Sequence, residues 1–225
     1  MHRPASGGHS GGGTPLPIPN RAVKPASADG TRRATSRESR TPPDSLFERP
    51  PRAAFRRSRI CRVELSGGDV LLRPPQFGDA DAIVAACSDA EIVRFIPLMP
   101  SPYGRSDAEW WIERCSQAWR DREAFPFVIV DADSGLLLGA IEFRPADGSI
   151  GYWVADRARR RGTATRALQL ICEWRSERPL QLVTHPDNAA SQRVAEKAGF
   201  QRIGLTPHEP QFRDGTTKAV LFRLD

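Results

Sequence analysis

The order of elements read along the chain predicts an α/β domain built on a mixed, mostly antiparallel sheet. Three observations carry this. Short alternating apolar segments joined by turn residues occupy the first part of the chain beyond residue 59. Strand–helix–strand–helix–strand follows, an order that needs a crossover within one sheet. The composition also changes at about residue 59. Residues 1–58 are rich in Pro, Gly, Ser and Arg and lack a periodic apolar pattern. Such a segment cannot bury enough surface to offset the entropy of ordering, so 1–58 is read as a disordered tail and 59–225 as the folded domain.

The charge follows the same boundary. Residues 1–59 hold twelve Lys or Arg and four Asp or Glu, and the rest hold 21 and 23. The pI of about 9.7 therefore belongs to the tail. It does not make the folded part a nucleic-acid binder, and nucleic acid is not expected as its partner. A basic arm touching nucleic acid through 1–58 is the alternative; it predicts binding that weakens steeply with salt. The competing reading is a solvated tail, or a start placed too far upstream, with Val63 or Val70 as alternatives. Cys61, Cys87, Cys115 and Cys172 stand singly, with no CxxC pair. Reduced thiols in a cytoplasmic protein are expected, without a metal site. No apolar run approaches a membrane span, and no apolar leader opens the chain.

Cys61–Leu65 and Val70–Arg73 alternate as two strands around Ser66-Gly67-Gly68-Asp69. Asp79 is placed to cap a helix through Cys87, and a short helix spans Asp89 to Ile96. The prolines of Pro97–Gly104 dictate a loop. Ser106 or Asp107 then caps a helix to about Arg122, with Trp110, Trp111, Cys115, Ala118 and Trp119 mostly on one face. Phe125–Asp131 and Leu136–Phe143 form a hairpin about Asp131–Gly135, and Pro145–Gly148 turns into a strand over Ser149–Val154. A helix over Thr163–Ser176, a strand over Leu180–Thr184 and a helix over Asn188–Lys197 ending at Gly199 follow. Phe200–Leu205 and Lys218–Leu224 complete the sheet.

The segment Arg159-Arg160-Arg161-Gly162-Thr163-Ala164 follows the strand Gly151-Tyr152-Trp153-Val154 and opens a helix at Thr165. A turn of this kind exposes backbone N–H groups at a helix N-terminus, a site suited to phosphate. The arginines add charged donors. Walker A is excluded, because Gly-Lys-Ser/Thr is missing. Asn188 suits an N-cap.

Arg159-x-x-Gly162-x-Ala164 and Asn188-Ala-Ala-Ser191…Glu196-Lys197-Ala-Gly199-Phe200 together resemble the GNAT superfamily of acyl-CoA-dependent N-acetyltransferases. The likeness is to its ribosomal-protein-alanine acetyltransferase-like branch. It covers about residues 68–225. It implies a single domain with helices on both faces of the sheet, and acetyl-CoA as co-substrate. It implies a strand at Tyr152, Trp153 and Val154 that splays from its neighbour at a bulge and meets the pantetheine arm. Arg159, Arg160, Arg161, Gly162, Thr163, Ala164 and Thr165 would hold the pyrophosphate. Asn188 would reach the cofactor arm, and Ser191 would lie near the thioester.

The reaction implied is direct attack of an amine on the thioester in a ternary complex. A backbone N–H at Trp153 or Val154 would support the oxyanion. Two positions depart from the family pattern. Ala195 stands where many members have a general-acid tyrosine, and Ser149 where many have a glutamate. Ser191 could protonate the leaving thiolate. Candidate bases are Glu142 and Glu209, with His208 third and read as an exposed loop histidine. The acceptor, a protein N-terminus or a small amine, is expected between the loops Pro97–Tyr103 and Leu205–Asp214, near Phe95, Tyr103 and Phe212. A CoA-binding regulatory protein is the alternative that Ala195 and Ser149 keep open. An oligomer is left open.

Overall fold

The computed structural model describes residues 63–175 and 179–225. The expected tail over 1–58, Cys61 and the predicted helix end at Ser176 lie outside these residues. Among the described residues, eight strands form one sheet in the order β1-β2-β3-β4-β5-β6-β8-β7. They are β1 (Leu65–Gly67), β2 (Val70–Arg73), β3 (Phe125–Asp131), β4 (Leu137–Arg144), β5 (Ser149–Val154), β6 (Leu180–Thr184), β7 (Gln201–Pro207) and β8 (Lys218–Leu224). Only the β5–β6 junction is parallel; the others are antiparallel. The helices are α1 (Ala80–Cys87), α2 (Ala90–Phe95), α3 (Arg105–Asp121), α4 (Thr163–Trp174) and α5 (Ala189–Lys197).

Helices cover both faces of the sheet. Phe127, Ile129, Ile141 and Phe143 pack toward Leu168 and Ile171 of α4. Their neighbours Val128, Val130 and Ala140 pack toward Ile83, Trp111 and Ile112 of α1 and α3. Successive strand residues point to opposite faces, so β3 and β4 must be apolar on both. This is why Phe125–Asp131 and Leu137–Arg144 read as nearly unbroken apolar runs. Burial pushes the Cys87 thiol up to about 12 and raises Cys115 as well. Cys87 and Cys115 are buried free thiols, and Cys172 is buried in the α4 core.

Several local expectations shift. The first hairpin turns at Gly68-Asp69, and β1 starts at Leu65. The third helix starts at Arg105 behind Gly104. Asp107 is the third helical residue, and its carboxylate accepts the Gly104 N–H at 2.9 Å. Asp107 thus satisfies the helix start from inside. Asp79 precedes α1 as expected, but its carboxylate does not cap that helix. It accepts from the Gln76 N–H at 2.8 Å and the Arg73 guanidinium at 2.7 and 2.9 Å. Trp110 lies on the exposed side of α3, while Trp111 and Ile112 are buried.

Candidate active site

The sheet opens between β5 and β6. They share a single ladder pair, Ser149 with Gln181, and diverge beyond it. No bulge is needed: the β4–β5 register runs unbroken from Arg144–Ser149 to Gly139–Val154. The expected splay is therefore present and the expected bulge is not. Gly139 permits the close β4–β5 approach, since a Cβ there would sit 2.3 Å from the Trp153 carbonyl oxygen.

Alternation fixes which backbone groups face the gap. The Ala155 N–H donates to Leu138 O on β4 at 2.9 Å. The Gly148 carbonyl accepts from Gln181 N on β6 at 2.9 Å. Odd-numbered residues of β5 therefore turn their backbone groups toward β4, and even-numbered ones toward β6. Tyr152 and Val154 thus present N–H and C=O to the opening, and Trp153 does not.

The opening is a cleft of about 920 Å³. Of the residues the sequence assigned to a cofactor, all but Arg161 line it. The loop before α4 has two residues in the left-handed region, Arg160 at φ 61° and Gly162 at φ 78°. That pairing turns successive N–H groups toward one side. Gly162 is also the N-cap of α4, with no capping side chain and no acid in the first turn. The helix start thus offers uncapped donors and a positive dipole end. Arg166 braces the loop from behind, donating to Arg161 O at 2.7 Å and pairing with Asp69 at 2.7 Å. Arg159 is held by Asp89, the N-cap of α2, and by Asp156 at 3.2 Å.

Across the cleft, Asn188 caps α5 by accepting the Ser191 N–H at 3.0 Å. The Ser191 hydroxyl lies 2.8 Å from the Tyr152 hydroxyl, which joins β5 to α5. Burial pushes the Tyr152 phenol above its ordinary range, against the opposing hydrogen bond from Ser191. The phenol is therefore a neutral donor. Ala195 is fully buried in the core and brings no polar group to the cleft.

The carboxylates proposed as bases are elsewhere. Glu142 shares the α3 face of β4 with Ala140, two residues before it. It pairs with Arg144 in a separate cavity of about 220 Å³ beside Trp110 and Trp111. Burial raises its pKa and Arg144 opposes the shift. Glu209 is exposed and does not line the cleft. His208, read as exposed, is instead 2% exposed and lines the cleft. Its ring stacks on Phe212 at 4.2 Å and 12°, and its Nδ1 lies 2.9 Å from Pro210 O.

His185, which the sequence did not single out, stands just after β6. Its Nδ1 accepts the Asp187 N–H at 3.0 Å, and its Nε2 lies 3.0 Å from Asp214. Phe212 meets it edge-on at 4.6 Å. Hydrogen bonds from Thr216, with His185 nearby, hold Asp214 below the usual carboxylate range. The two loops expected to flank this end do meet, as Arg213 donates to the Met99 carbonyl. Phe95 and Phe212 line the cleft, whereas Tyr103 is buried in the α1–α3 core. The signal for His185 is its place after a buried strand at the crossover junction.

Comparison with known proteins agrees with this architecture. The family described as Acetyltransferase (GNAT) domain matches residues 69–201. A search of curated proteins gives no match. Among solved structures, RimJ of Mycobacterium smegmatis in complex with CoA-disulfide is 22% identical with a TM-score of 0.63, over 72% of this chain and 86% of that one. The microcin C7 self-immunity acetyltransferase MccE, in complex with acetyl-CoA and AMP, is 16% identical with a TM-score of 0.64, over 70% and 93%. The ribosomal-protein-S5-alanine acetyltransferase of Vibrio fischeri is 15% identical with a TM-score of 0.63, over 72% and 96%. At these identities the likeness speaks to the fold. The family match spans more than half of the sequence and both cleft motifs up to Gln201, and with it the chain belongs to the GNAT acetyltransferase family.

Proposed function

We propose that this chain transfers an acetyl group from acetyl-CoA to a primary amine, either a protein N-terminus or a small molecule, by direct attack in a ternary complex. One observation carries the reading. A single cleft joins an uncapped helix start behind a left-handed pair of residues to the free edge of a splayed strand. The first feature suits a pyrophosphate. The second offers the Tyr152 and Val154 backbone to an extended arm, as an added strand would use it. Solved relatives that hold acetyl-CoA or a CoA-disulfide have the same fold.

In this reading the Gly162–Thr165 N–H groups take the phosphates, with Arg160 and Arg161 adding charge at the rim. Arg159, already paired with Asp89 and Asp156, fixes the loop. The Val154 N–H is the oxyanion donor, because its alternation faces the opening. The C–S bond breaks with its electron pair on sulfur, and the Ser191 hydroxyl, backed by Tyr152, donates to the thiolate. A thiol of pKa about 8.5 leaves as thiolate with little help, so the missing tyrosine at Ala195 is not an obstacle. Residues 59–225 form the working unit, in the cytoplasm.

The deciding experiment is thiol release from acetyl-CoA with a panel of peptides and small amines, beside calorimetric titration with CoA. Acceptor-dependent release supports the reading. Tight CoA binding with no release across the panel selects the regulatory alternative. Deleting residues 1–58 should leave transfer intact.

A further inference from the structure

An amine that attacks a thioester must lose a proton as the C–N bond forms, and neither Glu142 nor Glu209 reaches the cleft to take it. Two histidines do reach it, and their hydrogen bonds separate them. At His185, Nδ1 accepts the Asp187 N–H, so its lone pair is taken and the ring proton sits on Nε2, which faces Asp214 at 3.0 Å. It has no lone pair to offer. At His208 a carbonyl lies against Nδ1, and a carbonyl can only accept, so Nδ1 carries the proton. Its Nε2 keeps a lone pair and has no protein partner among the described residues.

We propose that His208 is the general base, taking the acceptor's proton at Nε2. The assignment rests on the acetyltransferase reading above. As nitrogen bonds the carbonyl carbon, its proton passes to Nε2. The C–S pair leaves with sulfur, and the imidazolium later releases its proton to solvent. The ring is preset for this. Phe212 stacks on one face at 4.2 Å, and the backbone N–H of His208 donates to Thr217 O at 2.8 Å. Burial draws its pKa below the ordinary 6.5, the Pro210 carbonyl opposes, and His185 adds to the lowering. The ring is thus neutral at neutral pH and ready to accept. The charged groups around it are Glu209 beside it in the loop, Lys218 at the start of the facing strand β8, and the His185–Asp214 pair across Phe212.

The same walls name the class of acceptor. Ile92, Phe95, Ile96 and Phe212 line the cleft, with Glu91 among its lining residues. They suit an amine next to an apolar or planar group, and not a polycation.

The test compares the full chain with H208Q and H208G over pH 5 to 9, using acetyl-CoA and an aromatic primary amine or a peptide with an apolar first residue. The wild type should show an acidic limb in kcat/KM set by a group below the ordinary histidine value. H208Q should lose about 100-fold or more in kcat/KM, together with that limb. Added imidazole should restore part of the H208G rate, which a folding defect would not allow. CoA affinity by calorimetry should stay unchanged in both variants. H208Q with the wild-type rate and the same limb overturns the assignment while leaving acetyl transfer standing. A wild type that binds CoA yet acetylates no amine overturns the parent reading, and this one with it.

Discussion

The α4 end and the β7–β8 loop end of the cleft are built from different material. At the α4 end the recognising groups are backbone N–H donors, aimed by two left-handed residues and a helix start without a cap. At the other end they are side chains: two imidazoles, two phenylalanines and a carboxylate brought together from α2, the segment after β6 and the loop before β8. A backbone site tolerates side-chain change and fails when the chain path changes. A side-chain site does the reverse.

That contrast can be broken. Gly162→Val should have the largest effect at the α4 end. Its Cβ would meet the Arg166 guanidinium at 2.9 Å and force a branched residue to φ 78°. CoA affinity should fall by about 100-fold, or ~2.8 kcal/mol, in calorimetry. Stability should fall by only about 1–2 kcal/mol in urea unfolding. Unchanged affinity would mean the loop is not the phosphate site. At the other end, Phe212→Leu removes the ring against both histidines. The acceptor KM should rise about tenfold, in line with an aromatic contact of ~1 kcal/mol plus a loosened base, with CoA affinity unchanged. An equal rise for both substrates would dissolve the distinction between the ends.

A smaller effect concerns acid. His208 has a folded-state pKa below its unfolded value. The unfolded chain therefore binds that proton more readily, and the contribution is complete above pH 6.5 and lost as pH falls through the folded value. Urea melts of the wild type should weaken below pH 6.5 more steeply than those of H208Q. The smallest change should follow Arg160→Ala with Arg161→Ala. Both side chains are exposed, so CoA affinity should drop a few-fold at low salt and hardly at all at high salt.

The α4 end was legible in the sequence because its determinants are contiguous. Arg159 to Thr165 and Asn188 to Ser191 each act within one turn of chain, so spacing alone carries the geometry. The other end was not. His208 reads as an exposed loop residue until Phe212 folds onto it and the loop closes against Met99 through Arg213. Glu142 reads as a base on the strand before the motif. Which face it takes is set by strand phase, and α3 shuts that face with Trp110 and Trp111. The helix at Arg105 shows the same limit on a small scale. The sequence offers Ser106 or Asp107 as the cap, but the N-cap is Gly104, and the Asp107 carboxylate serves the helix start from its third position.

The single rung between β5 and β6 has one more consequence. Beyond Ser149 and Gln181 no strand-to-strand bond ties the two halves of the sheet, so the amides of Tyr152 and Val154 stand outside any ladder. They should exchange with deuterium far faster than those of Trp153 and Ala155, which face β4. A bound pantetheine arm would supply the absent rungs. The slowing of those two amides would then report occupancy of the cleft, residue by residue, without any turnover at all.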